Sequence, residues 1–430
     1  MSRIGFLADD LTGAADVLAQ AHARGLDAAL SLDPTKPLPD AADVVGIAGP
    51  SRSLAGDALE AAVRAGIAPF AAADLDVFLY KICSTFDSSP TVGNIGRAIE
   101  ILHEQWPSHG AIAVAPAQPE FGRYTAFSQH FGAYRGEVHR LDRHPVMSRH
   151  PATPMHEADL RAIIASQQSG DAPIAAIHLP AYTDGTFSAE WKTHRRESGS
   201  FVVDAVAPDQ MDAVADALLA DGHVALVVGS GGIMAALARR RARGERTASA
   251  ASVSSGPTLA VSASASSTTA DQIAHAVGEG WVEVAIPGDA FTQDRPSGAW
   301  VDATAAALAD GRNVIAHTLR GTADPRMLSG TVDSAAVGGA IGRLAKIMVE
   351  RGLTRDVAIF GGDSSSHALL ALGVTELRVS EQFVTAGPIC QADAASAVAE
   401  SRLLLKGGQV GPVDILSRFV GNPTSSRGTS

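Results

Sequence analysis

The sequence predicts an α/β fold built as two domains, each with a mostly parallel β-sheet flanked by helices. Three observations lead to this prediction. Short apolar runs alternate with helical patterns almost throughout the chain, as they do in parallel sheets covered by helices. The 430 residues are more than one hydrophobic core usually holds. A basic stretch followed by an Ala/Ser-rich segment interrupts the alternation near residues 239–257, which indicates a linker.

The first half of the chain supplies short apolar strands separated by helical patterns. Most of these strands are rich in Val, Ile and Leu, as expected for strands buried on both faces. The predicted strands are Ile4–Ala8, Val44–Ala48, Val77–Ile82, Ala111–Ala115, Ile174–Leu179, Phe201–Ala205 and Val224–Gly229. The predicted helices are Gly13–Arg24, Ala58–Ala65, Ile95–Glu104, Gln210–Ala220 and Gly232–Arg241.

The second half restarts the same alternation after the linker. We place the first domain at residues 1–242, the linker at 243–257, the second domain at 258–418 and a mobile tail without buried apolar residues at 419–430. The predicted strands are Thr258–Ser262, Val282–Ile286, Val314–Thr318, Val357–Phe360, Leu377–Val379 and Leu403–Leu405. The predicted helices are Ala270–Val277, Ala303–Leu308, Ala335–Glu350 and Ser366–Leu372.

Composition excludes several classes of protein. The net charge of −12 and the pI near 5.6 argue against nucleic acid or an anionic membrane as a partner, because both need a basic surface. Only Cys83 and Cys390 occur, which excludes a disulfide framework and a Cys-rich zinc site and fits a reducing compartment. No apolar run approaches the ~20 residues of a membrane span, and residues 1–3 lead directly into a strand. We therefore expect a cytoplasmic protein.

The junction at residues 8–16, Ala-Asp-Asp-Leu-Thr-Gly-Ala-Ala-Asp, places two acids where a strand ends and a helix begins. Ligands of open α/β sheets bind outside the carboxyl ends of the strands, so Asp9 or Asp10 could take a proton from a substrate hydroxyl. The structural alternative is a helix N-cap, for which Asp10 or Thr12 would serve. One aspartate satisfies a cap, and a second adjacent carboxylate only adds repulsion. We therefore expect a functional role for at least one of the two.

Further polar groups follow the next strands of the first domain. Lys81 lies inside an apolar strand, where a cation needs a partner or an anionic ligand; the alternative is that its chain snorkels to solvent. Arg52 follows the strand that ends at residue 48 and could bind a carboxylate bidentately, although a loop arginine is often merely solvated. Ser84 and Thr85 form a polar turn after Lys81.

Residues 116–154 form a Pro-rich segment crowded with His and Arg. No histidine pair has the i, i+4 spacing with a nearby acid that a histidine-based zinc site shows. We interpret the segment as a long loop that closes over a ligand, with most of its histidines structural or exposed. Gly229-Ser230-Gly231 also lacks the first glycine of a nucleophile elbow, since residue 228 is Val. This argues against a serine hydrolase, and these glycines are expected to allow close strand-to-helix packing at the domain interface.

Three strand ends of the second domain carry hydroxyls and glycines. They are residues 262–269, Ser-Ala-Ser-Ala-Ser-Ser-Thr-Thr; residues 361–364, Gly-Gly-Asp-Ser; and residues 406–411, Lys-Gly-Gly-Gln-Val-Gly. Such groups at one edge of a sheet suit a nucleotide triphosphate, because free backbone N–H groups at helix N-termini bind phosphate. None of them is a Walker A motif, so the P-loop class is excluded. The two halves of the chain thus predict two different ligands.

Three motifs resemble those of the four-carbon acid sugar kinase family, and the likeness covers nearly the whole chain. Residues 8–14 are similar to the opening motif of the family. Residues 361–365, Gly-Gly-Asp-Ser-Ser, resemble its Gly-Gly-Asp-Thr-Ser element. Residues 405–411, Leu-Lys-Gly-Gly-Gln-Val-Gly, resemble its Leu-Lys-Ser-Gly-Asn-Phe-Gly element.

This resemblance implies an ATP-dependent kinase that phosphorylates a hydroxyl of a small acid sugar, with Mg²⁺ at the phosphates and the active site in the cleft between the domains. It implies a homodimer and names no metal ligands. The residues it assigns to the acid sugar are Asp9 or Asp10 as catalytic group, with Arg52, Lys81, Ser84 and Thr85 as binding groups. Those it assigns to ATP are Ser264, Gly361, Gly362, Asp363, Ser364, Gly408 and Gln409.

One loop departs from the family pattern. Residues 83–88 read Cys-Ser-Thr-Phe-Asp-Ser where members usually read Asp-Ser-Thr-Leu-Arg-Gly. Asp87 thus replaces an expected cation and would repel a substrate carboxylate by about 1–4 kcal/mol at contact distance. The substrate is then expected to differ from linear tetronates, for example a branched 3-oxo acid such as 3-oxo-isoapionate. Lys81, Arg52 or an arginine of residues 123–149 would hold its carboxylate instead.

Two rival functions stay open at this point. The first is a non-catalytic protein that senses an acid sugar or a nucleotide, which the altered loop would permit. The second is a dinucleotide-dependent dehydrogenase, but no Gly-x-Gly-x-x-Gly follows the first strand.

Overall fold

The computed structural model describes residues 3–150, 152–170, 174–197, 199–222, 224–244, 252–321, 324–326, 333–384 and 387–421. It divides into two compact units, Met1–Glu245 and Arg246–Ser430. The division falls within the linker that we placed at 243–257, of which residues 245–251 lie outside the described ranges. No helix in these ranges is both long and apolar enough to cross a membrane.

The first unit is an α/β unit with a parallel sheet and a small antiparallel sheet. Its described strands are β1 (Arg3–Ala8), β2 (Ala28–Ser31), β3 (Val44–Ala48), β4 (Leu75–Lys81), β5 (Ile112–Ala115), β6 (Arg123–Ala126), β7 (Gln129–Tyr134), β8 (Glu137–Arg140), β9 (Ala175–Ile177), β10 (Ser200–Val203) and β11 (Ala225–Gly229). Its described helices are α1 (Leu11–Ala23), α2 (Gly56–Ile67), α3 (Ile95–Gln105), α4 (Leu160–Ala165), α5 (Pro180–Thr183), α6 (Phe187–His194), α7 (Pro208–Leu219) and α8 (Gly231–Arg241).

In the main sheet of this unit every described neighbour is parallel, in the order β2-β3-β1-β4-β11-β5-β10-β9. Parallel pairing brings the carboxyl ends of β1, β3, β4 and β11 to the same edge. The central strands are buried on both faces, which their unbroken apolar sequences predict. Gly46 in β3 is required by this packing, because a Cβ there would lie 2.0 Å from Cζ of Phe6. This edge carries the polar residues that the sequence predicts to be functional.

The structure corrects our interpretation of residues 116–154 as one long loop. Strands β6, β7 and β8 pair antiparallel within this segment. The β6–β7 turn puts the non-glycine residues Phe127 and Ser128 at φ values of 50° and 62°. The buried Asp204 carboxylate accepts hydrogen bonds from both of their backbone N–H groups, at 2.6 Å and 2.9 Å. A turn without glycine is thus stabilised by an acid 76 residues later in the chain, which the local sequence could not reveal.

The second unit is also α/β, with one antiparallel edge. Its described strands are β12 (Thr258–Ser262), β13 (Val282–Ala285), β14 (Val314–His317), β15 (Asp356–Phe360), β16 (Glu376–Val384), β17 (Gly387–Ala392) and β18 (Arg402–Lys406). Its described helices are α9 (Ser267–Gly278), α10 (Ala299–Ala309), α11 (Ser334–Glu350), α12 (Asp363–Ala371) and α13 (Ile415–Val420).

Strands β13, β14, β12, β15 and β18 pair parallel in that order, and β17 and β16 continue the sheet antiparallel. The two-domain α/β prediction with mostly parallel sheets is therefore confirmed. Helix α13 ends at Val420 and Phe419 is fully buried, so the first residues of the predicted tail at 419–430 belong to a packed helix. Residues 422–430 of that tail lie outside the described ranges.

Candidate active site

Asp9, Asp10 and Arg52 form a buried ionic cluster at the carboxyl ends of β1 and β3. Asp9 and Asp10 follow β1 directly, and Arg52 lies in the turn after β3. Arg52 donates from Nε and Nη2 to Oδ2 and Oδ1 of Asp9, at 3.0 Å and 2.7 Å. It donates from Nη1 and Nη2 to Oδ2 and Oδ1 of Asp10, at 2.6 Å and 2.9 Å. One guanidinium thus holds all four carboxylate oxygens in a fixed orientation.

Asp10 also caps helix α1. Its Oδ1 accepts a hydrogen bond of 2.6 Å from the backbone N–H of Gly13. The N-cap interpretation is therefore right for Asp10. It explains neither Asp9 nor the four-way contact with Arg52, because a helix start needs only one cap. The cluster has more charge than the fold requires at this position.

Burial determines the electrostatics of this cluster. The side chains of Asp9, Asp10 and Arg52 are 5%, 2% and 20% exposed. Burial raises the pKa of Asp10 to about 6, and Arg52 opposes the shift while Asp9 adds to it. Burial disfavours the charged form of Arg52 as well, but Asp10 and Asp9 outweigh it and raise the pKa of Arg52 above its ordinary value. Asp10 therefore titrates close to neutral pH, where a general base is most effective.

Lys81 ends β4 beside this cluster. It is 2% exposed, so the alternative that it snorkels to solvent is wrong. Its Nζ donates to the carbonyl of Ile82 at 2.9 Å and interacts electrostatically with Asp10. A Cβ on Gly13 would lie 2.9 Å from Lys81 Nζ and 2.7 Å from Asp10 Oδ1, so a larger residue there would displace both groups. The structure thus brings Lys81 to the acids and explains the glycine of the opening motif.

The turn after β4 presents Ser84 and Thr85 next to Lys81. Thr85 is buried and donates from Oγ1 to Oδ1 of Asp87 at 2.7 Å. The carbonyl of Ser84 accepts a 2.8 Å hydrogen bond from Nε2 of His130 in β7. Burial, helped by Asp87, raises the pKa of the Cys83 thiol to about 11, so this thiol is not a ready nucleophile.

Two polar residues at this edge were missed by sequence reasoning. Asp16 of α1 is buried, and its Oδ2 accepts a 3.2 Å hydrogen bond from Nε2 of Gln118, which follows β5. The available signal was an acid on an otherwise apolar Ala-rich helix face.

Ser230 caps α8, and a Cβ on Gly232 would lie 2.2 Å from the carbonyl of Ala117. Gly232 thus allows close packing of α8 within the first unit, whereas the expected packing at the domain interface stays a prediction.

In the second unit, the polar residues that follow β12, β15 and β18 lie close together. Gly408, after β18, lies against Ser264, after β12, because a Cβ on Gly408 would lie 2.6 Å from Ser264 Oγ. Gly361, after β15, donates its N–H to the carbonyl of Lys406 at 3.1 Å. A Cβ on Gly361 would lie 2.5 Å from Ser364 Oγ, at the first turn of α12. The three predicted strand ends therefore meet at one edge of this sheet.

The other predicted residues of this group lie beside those ends. Gly362 precedes α12, whose first residue is Asp363. Gln409 is exposed next to Gly408. The side chain of Asp363 lies outside the described part of the structure, so its predicted contact is untested.

Lys406 is a site residue that sequence reasoning did not single out. Its ammonium donates to Thr269 Oγ1 at 3.0 Å and to the carbonyl of Gly407 at 2.9 Å, and it lies 4.5 Å from the centre of the Phe360 ring. Burial lowers its pKa to about 7. Among the described residues no carboxylate lies within ion-pair distance of Lys406. A cation placed this way at a strand end favours an anionic ligand.

The comparisons with known proteins match both units. A family model described as a sugar-binding N-terminal domain matches residues 4–237, and one described as a nucleotide-binding C-terminal domain matches residues 259–416. The chain is 33% identical to a 3-oxo-isoapionate kinase of Paraburkholderia graminis, over 95% of this chain and 92% of that protein. It is 28% identical to a 3-oxo-tetronate kinase of Methylobacterium radiotolerans, over 96% of this chain and 98% of that protein.

A solved structure supports the fold. A Haemophilus influenzae protein superposes with a TM-score of 0.72 at 24% identity, over 97% of this chain and 99% of the other. That likeness concerns the fold alone. The two domain matches and the full-length relatives together show that the chain belongs to the four-carbon acid sugar kinase family.

Proposed function

We propose that this sugar-acid kinase transfers the γ-phosphoryl group of ATP to a hydroxyl of a small four-carbon or branched acid sugar in carbohydrate catabolism. Threonate, erythronate, 3-oxo-tetronate and 3-oxo-isoapionate are the candidate acceptors, and the relative at 33% identity favours the last. The observation that carries the proposal is the buried Asp9–Asp10–Arg52 cluster at the strand ends of the sugar-binding domain. It offers a base of raised pKa at the edge where ligands of such sheets bind.

In this proposal Asp10 accepts the proton of the attacking hydroxyl. Phosphoryl transfer depends mainly on positioning and charge neutralisation, so the base must be held still. The Arg52 guanidinium and the Gly13 N–H fix both oxygens of Asp10. Lys81 contributes a buried positive charge beside the hydroxyl that reacts. Ser84 and Thr85 would complete the acid-sugar site from the turn after β4.

ATP would bind the second unit through Ser264, the backbone of residues 361–364, Gly408 and Gln409. Mg²⁺ prefers oxygen ligands and usually combines one or two carboxylates with substrate phosphates. Asp9 fits that role because each of its oxygens keeps a second lone pair after bonding to Arg52. No set of three metal-binding His, Cys, Asp or Glu side chains occurs among the described residues, which suits an ion that arrives with the nucleotide. When bound, it would neutralise phosphate charge.

An active site in the interdomain cleft and a homodimer rest on the family resemblance rather than on contacts, and a cytoplasmic location rests on the composition of the chain. They stay predictions.

The first experiment is ADP release from Mg·ATP by the purified protein with each candidate acid. Turnover of one acid alone would support the proposal and identify the acceptor. Absence of turnover together with a rise of the melting temperature in ATP would indicate a nucleotide site with a different acceptor. Absence of both would contradict the proposal and favour a non-catalytic binding protein.

The pH dependence of kcat/KM is expected to follow Asp10. A base must be deprotonated, and burial raises the pKa of Asp10 to about 6. We expect kcat/KM to be constant between pH 7 and 8 and to fall about tenfold per pH unit below pH 6. An initial-rate profile at subsaturating acid sugar measures this, since kcat/KM reports on the free enzyme. A profile that stays flat to pH 5 would show that Asp10 is not the base.

ATP binding is expected to take up a proton through Lys406. Burial lowers the pKa of Lys406 to about 7, and a neighbouring phosphate would raise it again. Calorimetry in buffers of different ionisation enthalpy should show uptake of about one proton per ATP at pH 8 and about none at pH 6. The variant K406M should lose this uptake, while K346M, at an exposed lysine of α11, should keep it. Equal uptake in K406M would refute the assignment.

A further inference from the structure

The arginines near the acid-sugar site differ in whether they are already neutralised. Arg52 is bonded to two carboxylates. Arg140 and Arg143 pair with Asp142 and are exposed, and Arg149 is exposed as well. Arg123 has no carboxylate within 4 Å among the described residues, although it is half-buried. Among these arginines it is therefore the half-buried one that has no carboxylate partner in the described part of the chain.

Arg123 belongs to a hairpin that is hydrogen-bonded to residues 83–88, which we call the substrate loop. In β6 and β7, Arg123 pairs with Gly132 and Thr125 pairs with His130. Thr125 Oγ1 donates to His130 Nδ1 at 2.9 Å, and His130 Nε2 donates to the carbonyl of Ser84 at 2.8 Å. Arg123 and Thr125 are two residues apart, so their side chains leave the same face of β6. That face is the one bonded to the loop at residues 83–88.

The described hydrogen bonds of the Arg123 guanidinium all come from one nitrogen, Nη1. Nη1 donates to the carbonyls of Phe121, Gly122 and Ala133 at 3.0 Å, 3.3 Å and 3.2 Å. Nε is buried and has no hydrogen-bond partner within the described part of the structure. The Nε–Nη2 edge of a guanidinium is one of those that grip a carboxylate with two parallel hydrogen bonds. A buried donor left without a partner needs an explanation, and an anionic ligand supplies one.

Electrostatic interactions link Arg123 to Cys83 and Asp87 in the turn after β4. Burial lowers the pKa of Arg123, and Cys83 and Asp87 act in the opposite direction. Cys83 interacts in the same way with Arg52. Both arginines thus interact electrostatically with Cys83; Arg52 is bound to the aspartates, and Arg123 has no carboxylate partner in the described ranges.

We propose that Arg123 binds the carboxylate of the acid sugar through its Nε–Nη2 edge and so replaces the cation that Asp87 removes from the substrate loop. The inference rests on the proposed function and adds the residue that selects acids over neutral sugars. The reacting hydroxyl lies at Asp10 and the carboxylate at Arg123.

The test compares acids with neutral analogues of the same skeleton. Wild type, R123Q, R123K and the matched control R143Q are assayed with 3-oxo-tetronate, 3-oxo-isoapionate and the primary amides of both. We expect R123Q to lower kcat/KM for the acid about 30- to 1000-fold, mainly through KM, because a charge-paired contact is lost. Its kcat/KM for the amide should change less than about threefold. R123K, which keeps the charge, should recover part of the loss, and R143Q should match wild type.

A merely structural Arg123 would give a different pattern. R123Q would then lower kcat/KM for acid and amide by the same factor, or would change neither, and either result overturns the inference. Calorimetric binding of the acids without ATP separates this failure from failure of the proposed function. If the protein shows no turnover but binds the acid in a way that depends on Arg123, the inference is supported and the proposed phosphoryl transfer is contradicted. Acid binding equal in wild type and R123Q would refute the inference in an active enzyme.

Discussion

Replacing Asp10 by Asn is expected to lower kcat about 10²- to 10⁴-fold, the usual contribution of a general base. Asn is as good an N-cap as Asp, and its Oδ1 can still accept the Gly13 N–H. The helix start is therefore preserved while charge and basicity are lost. Steady-state kinetics of D10N with saturating Mg·ATP measure the effect. Turnover within a few-fold of wild type would show that Asp10 is not the base.

The stability of D10N gives an independent control. Burial raises the folded-state pKa of Asp10 from 3.8 to about 6, so between these values the folded protein holds a proton that the unfolded chain has lost. Wild-type stability therefore falls as the pH rises through this window, and D10N escapes that loss. We expect the melting temperature of D10N, relative to wild type, to rise from pH 4 to pH 7. A melting temperature of D10N far below that of wild type at pH 7 would mean that the loss of activity reflects unfolding.

The parallel variant D9N separates the two acids. Asp9 is bonded to Arg52 alone among the described side-chain contacts, and it does not cap the helix. If Asp9 serves mainly as a charge beside the metal, D9N should weaken the response to Mg²⁺ and keep the pH profile of Asp10. If kcat/KM of D9N no longer fell below pH 6, Asp9 and not Asp10 would be the base.

Replacing Arg52 by Leu is expected to reduce the free energy of unfolding by about 3–5 kcal/mol at pH 8, because two buried carboxylates lose their common partner. Protonation of one of these aspartates removes a buried charge and so reduces the loss of stability. Removal of Arg52 raises the carboxylate pKa values further, so the deficit should be smaller at pH 5, where an aspartate carries a proton. Urea denaturation at both pH values measures the difference.

Two further variants make the Arg52 result interpretable. R140Q removes an arginine that is 44% exposed and paired with Asp142, and its effect should stay within about 0.5 kcal/mol. The triple variant D9N/D10N/R52L removes the buried charges together and should recover much of the stability that R52L loses. R52L with wild-type stability at pH 8 would show that the aspartates do not depend on the guanidinium.

The elements of the fold were largely predictable because their signals are local. Strand β12 and helix α11 were predicted to within a residue, since an apolar run and a helical periodicity are both read within a short window. The four-residue, Ala-rich strand β2 and the hairpin of β6 and β7 were missed. The first has little pattern to detect, and the second has a turn that depends on Asp204, far away in the chain.

The amino-acid sequence by itself determined the two α/β domains, the junctions that carry polar residues and the family. Parallel pairing of apolar strands makes the positions of such junctions follow from strand order and strand ends. Only the tertiary structure decided that Arg52 bonds to both aspartates, that Lys81 and Lys406 are buried, and that Arg123 has no carboxylate partner among the residues described. These facts depend on long-range packing, which sets the distance between charges and their access to water. That access decides whether a charged residue is a solvated side chain or a binding group.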